Sequence, residues 1–204
     1  MKLVAVSAGL STPSSTRLLA DRLAEAAREE LGNRGRAVDV QVVELRELAL
    51  AVAHHFVTGF PGPPLAAAVD AVTRADGLIA VTPVFTASYS GLFKSFFDLI
   101  DPDALTGKPV LLAATGGTAR HSLVLDHALR PLFAYLRAAA VPTAVYAASE
   151  DWGSGGDAYT EGLPGRVRRA AAELAALMAA RPAGEAPEDE VTALERRLSD
   201  LRFD

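Results

Sequence analysis

The chain contains no cysteine, which excludes a disulfide framework, a thiol nucleophile, a thiolate zinc site and a cysteine-held iron–sulfur cluster. Any redox chemistry must reside in a bound organic cofactor. Long apolar runs are missing too: no stretch approaches the ~20 residues that span a bilayer. The opening MKLVAVSAGLSTPSS turns polar before it supplies the ~7 to 15 apolar residues of a secretory signal. The expected location is the cytoplasm, with no membrane partner. Charge of one sign is scarce as well. Lys and Arg number 20 against 25 Asp and Glu, a formal charge of −5, and the basic residues are scattered, so nucleic acid is not an expected partner. No internal repeat is visible, and the length suits one well-filled core.

What the chain does have is a series of Val-, Ile- and Leu-rich runs: KLVAVSA, DVQVVEL, GLIAVTP, PVLLAAT and PTAVYAAS. Runs this apolar read as parallel strands buried on both faces. Helical patterns alternate with them. RLLADRLAEAAREEL puts Leu19, Leu23, Ala26, Ala27 and Leu31 on one stripe, with Asp21, Arg28 and Glu29 facing away. LAAAVDAVTRA, GLFKSFFDLI, HSLVLDHALRPLFAYLRAAA and GRVRRAAAELAALMAA continue the alternation, the third of these kinked but not split at Pro131. In GLFKSFFDLI, Leu92, Phe96 and Leu99 form the core stripe, which leaves Phe93 and Phe97 as an expected exposed pair and hence an interface. The fold class is α/β, a five-stranded parallel sheet wound right-handedly with helices on both faces. Residues 1–182 are expected to form this domain. Residues 183–204 are expected to add a polar linker and a short amphipathic helix carrying Val191, Leu194, Leu198 and Leu201.

Ligands of such sheets bind beyond the carboxyl ends of the strands, so three loops matter most. The first, SAGLSTPSSTR, supplies hydroxyls from Ser7, Ser11, Thr12, Ser14, Ser15 and Thr16 just before a helix. Hydroxyls and free backbone N–H groups at a helix N-terminus suit a phosphate, although one of them serving only as a helix cap is a competing reading. Neither the glycine spacing of a dinucleotide fold nor the Gly-Lys-Ser/Thr of a triphosphate loop is present. In the second, TPVFTASYSGLFKSFFDLID, Pro83 stiffens the turn and Phe85 and Tyr89 can border a flat ring or pack in the core. In the third, ATGGTARHS, Gly116 and Gly117 permit positive φ and close approach of backbone amides, or simply make a turn.

Together, SAGLSTPSSTR, TPVFTASYSGLFKSFFDLID and ATGGTARHSLVLDHALRPLF resemble the NADPH-dependent FMN reductases of flavodoxin-like fold, in particular the reductase partners of luciferase-like and alkanesulfonate monooxygenases. The resemblance spans roughly residues 2–180. It implies an NAD(P)H:FMN oxidoreductase that supplies reduced FMN to a flavin-dependent monooxygenase. It assigns the FMN phosphate to Ser7, Ser11, Ser14, Ser15 and Thr16. The isoalloxazine is assigned to Thr82, Pro83, Val84 and Phe85, and its pyrimidine side to Thr115, Gly116, Gly117 and Thr118. It also implies a homodimer or homotetramer built on the helix that begins at Gly91. The basic residue often found before the Ser cluster in that family is missing; Leu10 and Pro13 stand there, with Arg17 the only nearby cation, so the choice between NADPH and NADH stays open. No second nucleotide pocket is apparent, and FMN is expected to bind better than FAD.

Other polar residues carry less. Adjacent His54 and His55 cannot form the i, i+4 pair of a helical metal site, and no metal is expected. His121 follows the glycine loop and more often faces water than flavin in such a place. No catalytic acid, base or nucleophile is required, because hydride passes from nicotinamide to flavin and the cofactor carries the chemistry. Two alternatives remain: a quinone, azo or metal-ion reductase of the same fold with tightly held FMN, and a non-enzymatic flavin electron carrier.

Overall fold

A computed structural model describes residues 1–153 and 162–181; the expected linker and C-terminal helix lie outside the described residues. Four strands, β1 (Lys2–Ser7), β2 (Asp39–Glu44), β3 (Gly77–Phe85) and β5 (Pro109–Gly116), run parallel in the order β2-β1-β3-β5. Their side chains alternate between two cores. Leu3, Ala5, Ile79, Val81, Leu111 and Ala113 face one layer, while Val4, Val6, Leu78, Ala80, Val110 and Leu112 face the other. This period-2 division of a fully apolar strand is what a sheet covered on both faces requires.

The first layer is built by α1 (Ser15–Asn33) and α6 (Leu163–Ala180), which pack on each other and on the sheet. Leu19, Leu23, Ala27 and Leu31 of α1 are buried, as the stripe predicted. The second layer contains α2 (Leu45–Thr58), α3 (Pro63–Arg74), α4 (Gly91–Phe97) and α5 (Arg130–Tyr135). The helix α2 was not anticipated. It starts directly after β2, so the apolar Leu45 that ends DVQVVEL belongs to the helix, not the strand. It closes at Gly59, whose φ of 74° makes the left-handed turn that stops a helix.

The expected exposed pair on α4 is corrected. Phe93 is 0% and Phe97 1% exposed, and both stack with Phe133 of α5 at ring-centre distances of 6.3 and 4.9 Å. A helix of only seven residues lies between the sheet and α2 and α5, so two of its faces are covered and a single-stripe reading misassigns it.

The fourth predicted helix is likewise refined. A widened, π-helical turn at Leu125–Leu129 leads without interruption into α5, which carries Pro131 in its first turn. The wider turn accommodates the N–H that proline lacks. The chain then leaves the helix, Arg137 adopting a left-handed φ of 56°, and the fifth strand forms as two pieces, β6 (Ala139–Ala140) and β7 (Val145–Ala148), both parallel to β5. Side chains occupy the gap between them. The Arg130 guanidinium donates to the carbonyls of Val141 (3.1 Å) and Pro142, and Glu173 accepts from the Thr143 amide (2.7 Å) and hydroxyl (2.6 Å). A two-residue antiparallel strand, β4 (Ser88–Tyr89), folds back on the end of β3. The sheet thus has seven strands, and its five parallel positions match the expected five-stranded parallel sheet.

One buried cation stabilises the opposite end of the sheet. Lys108 is 4% exposed, and its Nζ donates to the carbonyls of Thr73 (2.8 Å) and Ala75 (2.6 Å), where α3 ends. Burial pushes its pKa down to about 8, with Arg181 acting in the same direction and Asp76 against it. A neutral amine has two N–H groups, matching the two carbonyls. Its folded value lies below the unfolded value of about 10.4, so the unfolded chain binds the proton more tightly, and stability should rise as pH increases from about 8 towards about 10.4. In urea unfolding, the stability difference between wild type and Lys108→Met is therefore expected to widen across that interval; parallel pH dependences would disprove the assignment.

Candidate functional site

The carboxyl ends of β1, β3 and β5 open into a cleft of about 350 Å³. Ten of the thirteen residues expected at the site line it: Ser11, Ser14, Ser15 and Thr16 from the first loop, Pro83, Val84 and Phe85 from the second, and Thr115, Gly116 and Gly117 from the third. Leu10 and Ser149 complete the wall. Ser149 follows β7 directly and was not among the expected residues, although as the first hydroxyl after an apolar strand it carries the same signal as Ser7. Ser7, Thr82 and Thr118 do not line the cleft.

The hydroxyls of the first loop divide by task. Ser14 is the N-cap of α1, its Oγ accepting from the Arg17 amide at 3.2 Å. Gly9 makes room for that cap, since a Cβ there would lie 2.0 Å from Ser14 Oγ. Thr16 is buried and its Oγ1 lies 2.8 Å from Thr115 Oγ1, joining the first loop to the third. Thr12 accepts from the Arg46 guanidinium. The Ser7 hydroxyl is sealed, 1% exposed and without a hydrogen-bond partner among the described residues. Only Ser11 and Ser15 present exposed hydroxyls with no protein partner among the described residues. They stand beside the free first-turn amides of a 19-residue helix, where an anion is favoured.

The cation beside this loop is also corrected. Arg17 is held by Asp21 (2.8 Å) and by Glu44, and the hydrogen bond it donates to Asp21 raises its pKa, so its charge is already matched. Arg46, on α2, reaches the loop instead. It lies more than thirty positions downstream on the helix that was not foreseen.

In the second loop Thr82 supports the wall without forming it. Fully buried, its Oγ1 donates to the Pro83 carbonyl and accepts from the Ser90 amide, both at 3.0 Å, and Ser90 Oγ in turn caps α4. Tyr89 turns towards Phe93, 6.0 Å between ring centres, and takes no part in the cleft. Thr86 and Ala87 join β3 to β4 with φ of 49° and 65°, the left-handed pair of a two-residue hairpin turn, usually given to Asn and Gly. This turn leaves Phe85 at the rim, 47% exposed.

In the third loop neither Gly116 nor Gly117 has positive φ, contrary to the expectation. Gly116 is needed for close approach: a Cβ would lie 2.0 Å from the Tyr146 hydroxyl, which donates to the Thr118 carbonyl at 2.8 Å and so fixes the loop. That contact places Thr118 in a supporting role. Burial, aided by Glu150 and Asp151, raises the Tyr146 pKa and keeps it a donor. Gly117 has no atom within 4 Å of where a Cβ would stand, leaving its backbone open to the cleft.

A second cleft, of about 600 Å³, lies on the outer side of the first loop. It shares Ser11, Ser14 and Ser15 with the first and adds Arg17, Arg22, Arg46 and Trp152. Chemically, the first cleft offers an anion seat, an apolar wall and an exposed backbone edge, the complement of a phosphorylated, flat heteroaromatic ligand.

A family model described as NADPH-dependent FMN reductase matches residues 1–153. An FMN reductase (NADPH) of Pseudomonas aeruginosa is 43% identical over 183 residues, 88% of this chain and 94% of the relative. An NADH-dependent FMN reductase, SfnF, of Pseudomonas fluorescens is 39% identical over 177 residues, covering 87% and 91% of the two chains. Among solved structures, an oxidoreductase from Corynebacterium diphtheriae superposes with a TM-score of 0.84 at 49% identity, covering 89% of this chain and 98% of its own.

The division of the hydroxyls is directly testable. Ser14→Ala removes the cap of α1 and should cost about 1 kcal/mol of stability, whereas Ser15→Ala, touching no protein acceptor or donor, should leave the urea midpoint nearly unchanged. Equal effects would show that the cap is not where the geometry puts it.

Proposed function

The chain belongs to the NADPH-dependent FMN reductase family, and we propose that it releases reduced FMN to a flavin-dependent monooxygenase, with the cleft at the ends of β1, β3 and β5 as the flavin site. It is an NAD(P)H-dependent oxidoreductase that uses FMN. The observation carrying the site is the pair of unpartnered hydroxyls, Ser11 and Ser15, at the N-terminus of α1, opposite the open backbone of Gly117.

FMN fits this donor set. Its phosphate suits Ser11, Ser15 and the first-turn amides of α1, neutral donors that hold an anion by charge-assisted hydrogen bonds. Pro83, Val84 and Phe85 offer an apolar border for the ring, and the amides around Gly117 suit its polar edge. Bound there, FMN supplies the two-electron acceptor for a nicotinamide hydride. The protein's part is orientation: Thr16 and Thr115 lock two loops together, Tyr146 fixes the third-loop carbonyl, and Thr82 anchors the turn below Phe85. Release of the reduced flavin is supported by the resemblance to monooxygenase reductases and by the lack of cysteine as an onward acceptor.

The test is an anaerobic stopped-flow reduction of added FMN by NADPH and by NADH, coupled to a flavin-dependent monooxygenase. Bleaching with either nucleotide, followed by monooxygenase turnover, is expected. Flavin that reduces but never leaves would replace this reading with a reductase holding FMN tightly. Ser11→Ala combined with Ser15→Ala should weaken FMN binding by about 1.5 to 3 kcal/mol per lost charge-assisted bond; unchanged affinity would move the phosphate elsewhere.

Self-association as a homodimer or homotetramer belongs to the same proposal, with its contact moved from α4 to α2. Leu50 and Val57, one face of α2, are each 87% exposed, and Phe60 just beyond is 76% exposed, an apolar patch of the kind that marks contacts between chains. Light scattering should report a dimer or larger species, reduced to monomer by Val57→Glu with Phe60→Glu. A monomeric wild type would rule this out.

A further inference from the structure

We infer that the turn after the fifth strand supplies a further contact to the flavin: the Ser149 hydroxyl meets the ribityl chain, the neutral polyol between phosphate and ring, and Arg166 holds Ser149 in place through Asp151. This rests on the flavin reading of the first cleft. Ser149 lines that cleft, and its exposed hydroxyl has no hydrogen-bond partner among the described residues. Its position follows from the sheet. Gly116 pairs with Ala148 in the parallel register of β5 and β7, so Ser149 falls beside Gly117, one strand spacing of about 4.8 Å away. Along β7, Val145 and Ala147 face the layer of α1 and α6, while Tyr146 and Ala148 face the other. Ala148 is still extended, with φ −85° and ψ 169°, and the alternation therefore puts Ser149 on the α1 side, where Thr115 meets Thr16. It stands between the two ends of the site. Ser15 adjoins Thr16 at the anion seat, and Gly117 opens towards the polar edge of the ring; the part of FMN that spans these ends is the ribityl chain.

The charges of the turn favour the same part of the ligand. Glu150 and Asp151 follow Ser149 directly, which disfavours a contact to phosphate but not one to a neutral hydroxyl, to which serine can both donate and accept. Side chains then fix the turn. One Asp151 carboxylate oxygen accepts from the Ala148 amide at 2.8 Å, and the other accepts from the Arg166 guanidinium. Arg166, on α6, donates with its other arm to the Tyr146 carbonyl at 2.6 Å, so one planar group holds both the end of β7 and the turn beyond it. The Arg166 and Asp151 side chains are only 29% and 22% exposed, and the pair escapes the screening that makes surface ion pairs weak. Trp152 closes the turn against α1, its ring centre 5.0 Å from the Arg22 guanidinium. The backbone is thus anchored on both sides of Ser149, and the hydroxyl between the anchors is left for a ligand.

Three flavins separate the parts of the ligand: FMN has ring, ribityl chain and phosphate, riboflavin lacks the phosphate, and lumiflavin lacks both phosphate and chain. Their affinities are read by titration of flavin fluorescence. Ser149→Ala should lower the affinity for FMN and for riboflavin by the same factor, about threefold to tenfold, and leave lumiflavin within about twofold, the scale of one lost hydrogen bond. Ser149→Thr, which keeps the hydroxyl, should retain most of the wild-type affinity. Arg166→Gln should reproduce the alanine pattern, and adding Ser149→Ala to it should cost nothing more, because both changes act on one contact. If Arg166 merely stabilised the fold, its loss would weaken all three flavins together. Asp151→Asn weakens the same link and serves should Arg166→Gln fold poorly. A Ser149→Ala loss confined to FMN would assign the hydroxyl to the phosphate, a loss extending to lumiflavin would assign it to the ring, and an unchanged FMN affinity would remove it from the site; each overturns the proposal. A wild type that binds no FMN would sink the first-cleft reading itself, whereas normal FMN binding by both wild type and Ser149→Ala sinks this inference alone.

Discussion

A single buried contact between two hydroxyls, Thr16 Oγ1 and Thr115 Oγ1 at 2.8 Å, spans 99 positions of sequence and ties the start of α1 to the end of β5. Everything the cleft offers depends on that registration. The first-turn amides of α1 aim where they do because Thr16 is held, and the Gly116–Gly117 backbone faces them because Thr115 is the partner. Neither hydroxyl reaches solvent freely, so each satisfies the other; replacing one with an apolar residue would leave a buried polar group alone, at about 1 to 3 kcal/mol. Two neutral groups make this contact without the desolvation cost that a buried ion pair would carry.

Much of this was legible in the residue types. Apolar runs identified the parallel strands, and the polar loops behind them identified the site's edge, because a sheet covered on both faces has nowhere else to present polar atoms. The duties within a loop were not legible. Ser11, Ser14 and Thr16 are chemically alike, yet one is exposed, one caps a helix and one bonds across the fold; only the approach of Gly9 and Thr115 separates them. Gly116 was expected for positive φ or for close approach to a ligand, but what presses on it is Tyr146, a contact between strands thirty residues apart. Phe93 and Phe97 failed for a related reason: helical periodicity counts one buried face, and α4 has neighbours on two.

The helix α2 shows the same limit at a larger scale. Without a loop between Glu44 and Leu45, no turn residue marks the change from strand to helix, and the cation it carries to the hydroxyl loop, Arg46, went unseen with it. Arg46 sets a guanidinium with no carboxylate partner among the described residues beside a loop that has no charged residue of its own between Ser7 and Thr16.

The interruption of the fifth strand has a consequence of another kind. An outer strand normally offers a row of unpaired amides and carbonyls on which a foreign chain can grow a sheet. Here that row is broken between β6 and β7, and two of the carbonyls in the gap, with the Thr143 amide, are already claimed by Arg130 and Glu173. No continuous template is left on that side. The same irregularity that shortens the sheet therefore guards the folded chain against edge-to-edge pairing.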